Sequence, residues 1–131
     1  MKISATISST SNNLQTIVST NDKSQAVPVP CKPSGLGSAV NGGEWLMLAI
    51  ATCYCNDIYR EAARRNIVIE KIEVECTSVF EQEGEAASNI AYSVNIQSPA
   101  PQAEIDALIK HTYYVAEIIK TISKGTAFTI I

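Results

Sequence analysis

The sequence predicts an α+β fold in a single domain spanning residues 1–131. Three observations lead there. Apolar and polar residues alternate with a period of two in residues 1–30 and again in 66–98. Two long stretches repeat apolar residues at helical spacing instead. Turn residues separate these stretches in the order strands, helix, hairpin, helix, strand, which is not the alternation of a parallel α/β sheet.

Residues 1–30 hold the N-terminal strands. Ile3, Ala5 and Ile7 alternate with Lys2, Ser4, Thr6 and Ser8, the pattern of a half-buried strand. Ser11-Asn12-Asn13 marks a turn, Leu14–Thr20 a second strand, and Asn21-Asp22-Lys23 another turn. A short third strand fits Gln25–Val29, with Pro28 and Pro30 confining it to a sheet edge. Residues 30–43 read as a glycine-rich loop, either a plain connector or a binding loop.

Asn41 and Glu44 have the spacing of a capping pair and open a central helix over 44–65. Its first half, Glu44-Trp-Leu-Met-Leu-Ala-Ile-Ala-Thr-Cys-Tyr-Cys55, is apolar on nearly all sides, so burial all round is expected. Its second half, Asn56 to Arg65, is amphipathic and is expected to emerge into solvent. In the hairpin of 66–98, Ile72, Val74, Cys76 and Phe80 share one face of the first strand, and Ile90, Tyr92, Val94 and Ile96 one face of the second. Gln82-Glu83-Gly84-Glu85 makes its turn, and Cys76 reads as a small core residue. A second long helix fits 102–124, with Ile105, Leu108, Ile109, Thr112, Val115, Ala116, Ile119 and Ile122 as its buried stripe and Gly125 closing it. A terminal strand is expected over 126–131.

Composition excludes several function classes. Net charge is −3, and the ten Lys and Arg are dispersed, so no nucleic-acid partner is expected. The longest apolar run, Trp45 to Ala51, is too short to span a membrane. The first residues lack the apolar stretch of a signal peptide, so a cytoplasmic location with reduced Cys31, Cys53, Cys55 and Cys76 is expected. The cysteine spacing contains no C-x-x-C, and His111 is the only histidine; neither a metal nor a cofactor is expected.

Cys53 carries the functional question. On a central apolar helix it is either inert core or a nucleophile held in a dry pocket, and a nucleophile needs a cation or donors to sustain a thiolate. Cys53 and Cys55 point about 200° apart around a helix and cannot bridge each other without unwinding it. Glu44 lies about 13 Å along the axis from Cys53 and cannot touch it within one helix. His111, alone near the middle of a helix, reads as a surface or interface residue.

The run Asn41-Gly-Gly-Glu-Trp-Leu-Met-Leu-Ala-Ile-Ala-Thr-Cys53, then a helix, then Ile-Val-Ile-Glu-Lys-Ile-Glu-Val-Glu-Cys76 and a second strand, resembles the OsmC/Ohr family. That family has Asn-Pro-x-Glu-Leu-Leu, a small apolar stretch and a Cys on its central helix. The resemblance covers residues 36–131 and, more loosely, the N-terminal strands. It implies an OsmC-like fold, with antiparallel sheets packed around two long helices in an intertwined homodimer whose sites lie at the interface. It also implies reduction of organic hydroperoxides, a peroxiredoxin-like activity in oxidative-stress defence, with Cys53 in the peroxidatic position.

Two features differ from the family pattern. The resolving Cys, which precedes Pro-Val on the second helix, is replaced where this chain reads His111-Thr-Tyr-Tyr-Val115. Cys55, Cys31 or an external dithiol reductant remain to resolve a sulfenic acid. No Arg precedes Arg60, so the usual thiolate-stabilising Arg is missing and Lys23 or Lys32 are the cations left. Glu44 is then either a site carboxylate or simply the helix cap, and Trp45, Tyr113 and Tyr114 are expected to line the substrate pocket. The alternative is a non-catalytic or repurposed dimer that binds a small apolar ligand beside Cys53.

Overall fold

The computed structural model describes residues 1–131. The element order is β1 (Ile3–Thr10), β2 (Asn13–Thr20), β3 (Lys23–Ala26), α1 (Gly42–Arg64), β4 (Lys71–Val79), β5 (Ser88–Gln97), α2 (Gln102–Val115) and α3 (Glu117–Ser123). This is a mixed α+β chain with two antiparallel sheets. The chain divides into two compact units, Met1–Trp45 and Leu46–Ile131. The sheets share no strand, since β1–β3 pair only among themselves and β4 only with β5.

In the first unit β1, β2 and β3 form an antiparallel meander with Ile3 opposite Thr20 and Thr20 opposite Lys23. Asn12 and Asn21 take left-handed backbone conformations in its two turns, which asparagine tolerates better than most residues. The third strand starts at Lys23 and stops at Ala26, earlier than the expected Gln25–Val29, because Pro28 and Pro30 offer no N–H to extend the ladder. The loop that follows is folded on itself. Cys31 and Ser38 form an isolated antiparallel bridge, and the Lys32 N–H donates to the Gly37 carbonyl. The Asn12 N–H donates to the Gly35 carbonyl at 2.8 Å, and the Gly37 N–H to Ser9 Oγ at 3.1 Å, tying the loop to the β1–β2 turn. Gly35 makes that approach possible: its φ is +77°, and a Cβ there would collide with the Asn12 side chain.

Helix α1 opens with a reciprocal capping box. The Glu44 N–H donates to Asn41 Oδ1 at 2.9 Å, and the Asn41 N–H donates to Glu44 Oε2 at 2.7 Å. Asn41→Ala is expected to lower stability by about 1 kcal/mol, read as a fall in urea midpoint at unchanged slope. The helix ends at Arg64 with Asn66 left-handed and the Ile67 N–H reaching back to the Ala62 carbonyl, a glycine-like stop carried by asparagine.

The second unit has its core between α1, α2 and one face of the β4–β5 hairpin. Tyr54, Ile58, Ala62, Ile67, Ile105, Leu108 and Ala116 are buried there, with Ile72, Val74, Tyr92, Val94 and Ile96 packed against them. Alternation in the hairpin therefore put the right residues inward. Phe80 and Ile90 are exceptions at the turn end of the hairpin: the register shifts between Thr77 and Val79, the first strand ends, and both side chains are exposed.

Three expectations for this unit change. The first half of α1 is not buried all round, since Leu48 is 53% exposed; in one chain the helix has core on one side only. The long helix of 102–124 is two helices broken at Ala116, which is extended at ψ 112° although fully buried. Just before the break the Thr112 hydroxyl donates to the Leu108 carbonyl, a side-chain bond that competes with the helix ladder and favours bending. Residues 126–131 form no strand, because no neighbouring strand pairs with them; Phe128 and Ile130 stand fully exposed. No helix is long and apolar enough to cross a membrane.

Candidate functional site

Cys53 lies at the start of the fourth turn of α1, and the residues one and two turns further on the same face are Asp57 and Glu61. All three belong to the second unit. The Cys53 thiol donates to Asp57 Oδ2 at 3.4 Å. Asp57 Oδ1 in turn lies 2.6 Å from an Arg60 guanidinium nitrogen. Arg60 also donates from Nε to Glu61 Oε1 at 3.1 Å and approaches Glu117 Oε1 at 3.8 Å. Glu61 accepts from Arg64 at 2.8 Å, and His111 Nε2 lies 3.2 Å from its other oxygen. Asp57 and Glu61 are each only 3% exposed.

The α2–α3 break completes the site. Helix starts leave N–H groups without intrahelical partners. Two groups at the start of α3 act on the Cys53 thiol: the Ile118 backbone N–H favours its anion, and Glu117 adds a negative charge. Burial pushes the Cys53 thiol above its ordinary pKa; the Ile118 N–H opposes this, while Asp57 and Glu117 reinforce it. Cys53 therefore rests as a thiol, with a carboxylate as its hydrogen-bond acceptor. Burial also raises Asp57, against the Cys53 hydrogen bond and the Arg60 charge, which favour its carboxylate. Glu61 is held below the ordinary carboxylate range, first by the Arg60 hydrogen bond and then by Arg64 and His111, against its desolvation.

Cys53 Sγ and oxygens of Asp57 and Glu117 all lie within 4.8 Å of one another, a spacing that suits ligands around one cation. The Arg60 guanidinium already occupies the cationic position against both carboxylates. The arrangement is thus a protonated sulfur, a buried acceptor for its proton, and a cation that holds the acceptor.

The other residues singled out by sequence lie elsewhere. Cys55 faces a shallow groove lined by Ala51, Thr52, Asn56 and Val74, on the other side of α1 from the Asp57 pair. All four cysteines are free thiols. Cys31 sits in the folded loop of the first unit, together with Lys32, and Lys23 begins β3. Glu44 is engaged in the capping box. Trp45 lines an apolar cavity of about 320 Å³ in the first unit with Ala5, Ile7, Val18 and Val27. Tyr113 and Tyr114 are exposed on α2 and meet edge to face at 5.2 Å. Cys76 Sγ lies 3.4 Å from Met47 Sδ, in the apolar layer between β4 and α1.

Sequence reasoning missed Asp57, Arg60, Glu61 and Glu117. The second half of α1 was expected to emerge into solvent, yet Asp57 and Glu61 are buried. The signal was present in part: Cys53, Asp57 and Glu61 recur every four residues, and Arg60 and Arg64 each follow an acid by three. Such spacing equally describes a solvated helix face, and only the cover supplied by α2 and α3 separates the two.

A protein-family model described as OsmC-like protein matches residues 35–131. The structure is similar to that of an OsmC-like protein from Mycoplasma pneumoniae, at TM-score 0.71 and 16% identity, covering 95% of this chain and 89% of that one. It is also similar to the organic hydroperoxide resistance protein OsmC of Legionella pneumophila, at TM-score 0.59 and 14% identity over 93% and 89% of the two chains. A third likeness is to the organic hydroperoxide resistance protein OhrB of Bacillus subtilis, at TM-score 0.57 and 13% identity over 96% and 93%. At these identities the likeness is one of fold. No curated protein matches the chain in sequence.

Proposed function

This chain belongs to the OsmC-like protein family, and on that premise we propose that it is a thiol-dependent peroxidase that reduces organic hydroperoxides through Cys53. The observation that carries the reading is the surroundings of the Cys53 sulfur: it donates at 3.4 Å to a buried carboxylate, Asp57, and the Ile118 backbone N–H favours its anion. The hydroperoxide resistance proteins of similar fold support the substrate class. In the proposed reaction the sulfur attacks the terminal oxygen of R–O–O–H. The S–O bond forms as the O–O bond breaks, leaving a sulfenic acid on Cys53 and the alcohol ROH. Two electrons from thiols then return the sulfenic acid to the thiol, through Cys55, Cys31 or an external dithiol reductant. The working unit is a cytoplasmic homodimer, in which a second copy covers apolar side chains such as Leu48 and Ile7 that one chain leaves exposed.

The test is to treat the reduced protein with stoichiometric tert-butyl hydroperoxide in the presence of dimedone and map adducts by mass spectrometry. A sulfenic-acid adduct on Cys53, absent from Cys53→Ser, is the expected result. Cys53 left unmodified in the reduced protein would falsify the proposal.

A second reading is favoured by the cavity at Trp45, whose lining is mostly apolar. In it the family fold is repurposed, without catalysis, to bind a small apolar ligand. Trp45 is the sole tryptophan, so its fluorescence reports occupancy directly. Saturable quenching by a small apolar ligand, retained in Cys53→Ser, is the outcome this reading requires.

A further inference from the structure

We propose that Asp57 is the acid–base partner of Cys53, taking the thiol proton as the sulfur attacks and returning it to the leaving alkoxide, and that Arg60 is the residue that positions it. The inference rests on the peroxidase reading above and assigns the proton steps that reading leaves open.

The geometry supports each part. A thiol is a poor nucleophile until it loses its proton, and in this site burial keeps the proton on sulfur. Cys53 has one side-chain acceptor, Asp57 Oδ2, at 3.4 Å. That carboxylate is shielded from bulk water, and its second oxygen is pinned by Arg60 at 2.6 Å. Pinning one oxygen aims the other at the sulfur, and the Arg60 charge favours the Asp57 carboxylate against its burial. The other charged or titratable groups around the pair are Glu61 and Tyr54 on α1, Glu117 on α3, and His111 on α2 through Glu61. Among these Arg60 is the cation in contact with Asp57.

The proton balance closes. As sulfur bonds the terminal oxygen, the Cys53 proton passes to Asp57 and the O–O bond breaks to release RO⁻. The carboxylic acid then gives its proton to RO⁻. The products are Cys53–SOH and ROH, sulfur is oxidised by two electrons, the peroxide is reduced by two, and Asp57 is again a carboxylate.

Two readouts separate this role from a structural one. Alkylation of Cys53 by iodoacetamide requires the thiolate but no proton for its leaving group, whereas reduction of tert-butyl hydroperoxide requires both. Asp57→Asn removes a negative charge beside the sulfur, so the pH midpoint of Cys53 alkylation should move down. The same variant should oxidise with tert-butyl hydroperoxide at least about tenfold more slowly at neutral pH, since general acid–base catalysis contributes on the order of a hundredfold or more. Arg60→Gln should move the acidic limb of the hydroperoxide rate to higher pH, because Asp57 without its cation ionises later, and Arg60→Lys should restore part of the shift. Circular dichroism confirms that each variant is folded.

A wild-type Cys53 that alkylates but does not react with hydroperoxide overturns the function proposed above, and this inference with it. An Asp57→Asn protein that reacts with hydroperoxide as fast as wild type or faster overturns this inference alone. So does an alkylation midpoint that does not move.

Discussion

Tyr54→Ala is expected to cost about 3–5 kcal/mol, the range for deleting a large buried aromatic side chain. Tyr54 is fully buried on α1. Its hydroxyl donates to the Ile109 carbonyl on α2 at 2.7 Å, and its ring lies 4.6 Å from that of Tyr92 on β5. One side chain thus joins three elements of the second unit. Truncation to Ala empties the volume between them and leaves the Ile109 carbonyl without its donor. Folded domains hold only about 5–15 kcal/mol in all, so the loss is a large share of the total. Tyr54→Phe keeps the ring and removes only the hydrogen bond, for about 1 kcal/mol. Urea denaturation of the three proteins checks the prediction, which fails if the Ala and Phe variants unfold at the same midpoint.

Glu61→Gln is expected to cost about 2 kcal/mol at neutral pH, the scale of hydrogen bonds to a charged group. Glu61 is a buried hub that accepts from Arg60 and Arg64, with His111 Nε2 3.2 Å from its other oxygen. Arg60 and Arg64 both reach solvent, with side chains 37% and 67% exposed, which keeps the cost well below that of a fully buried ion pair. The pH dependence has a definite sign. The native carboxylate is held below its ordinary value of 4.5, chiefly by the Arg60 hydrogen bond. Its contribution to stability is therefore complete above that value and is lost as the pH falls through the lower native one. The gap between wild type and Glu61→Gln should narrow on going from pH 7 to the acid side of 4.5. Asp57 acts in the opposite direction. Burial raises it, so its protonation at low pH favours the native state and softens the acid limb of the wild type. Urea midpoints across this range are the measurement, and an equal gap at both ends would contradict the assignment of Glu61 as the ionised hub.

Much of the fold was legible because it is written in short-range rules. The turns at Asn12 and Asn21, the Asn41–Glu44 box and the stop at Gly125 each depend on residues within a few positions. The inward placing of Ile72 and Val74 on β4 and of Tyr92, Val94 and Ile96 on β5 follows from alternation alone. The break at Ala116 was not legible, because Ile105, Leu108, Thr112, Ala116 and Ile119 keep an unbroken helical spacing across it. The expected strand at 126–131 did not form because a strand needs a partner to pair with, and a short local segment supplies none.

The sequence by itself determined the α+β class, the order of elements from β1 to α2 and the place of Cys53 on the central helix, since periodicity, capping and turn chemistry are local. Only the tertiary structure decided what Cys53 touches. Glu117 on α3 comes within 4.8 Å of it, and His111 on α2 and Glu117 on α3 lie over the face on which Asp57 and Glu61 are buried rather than solvated. Burial and proton sharing are properties of the space between elements, and no window of the sequence contains that space.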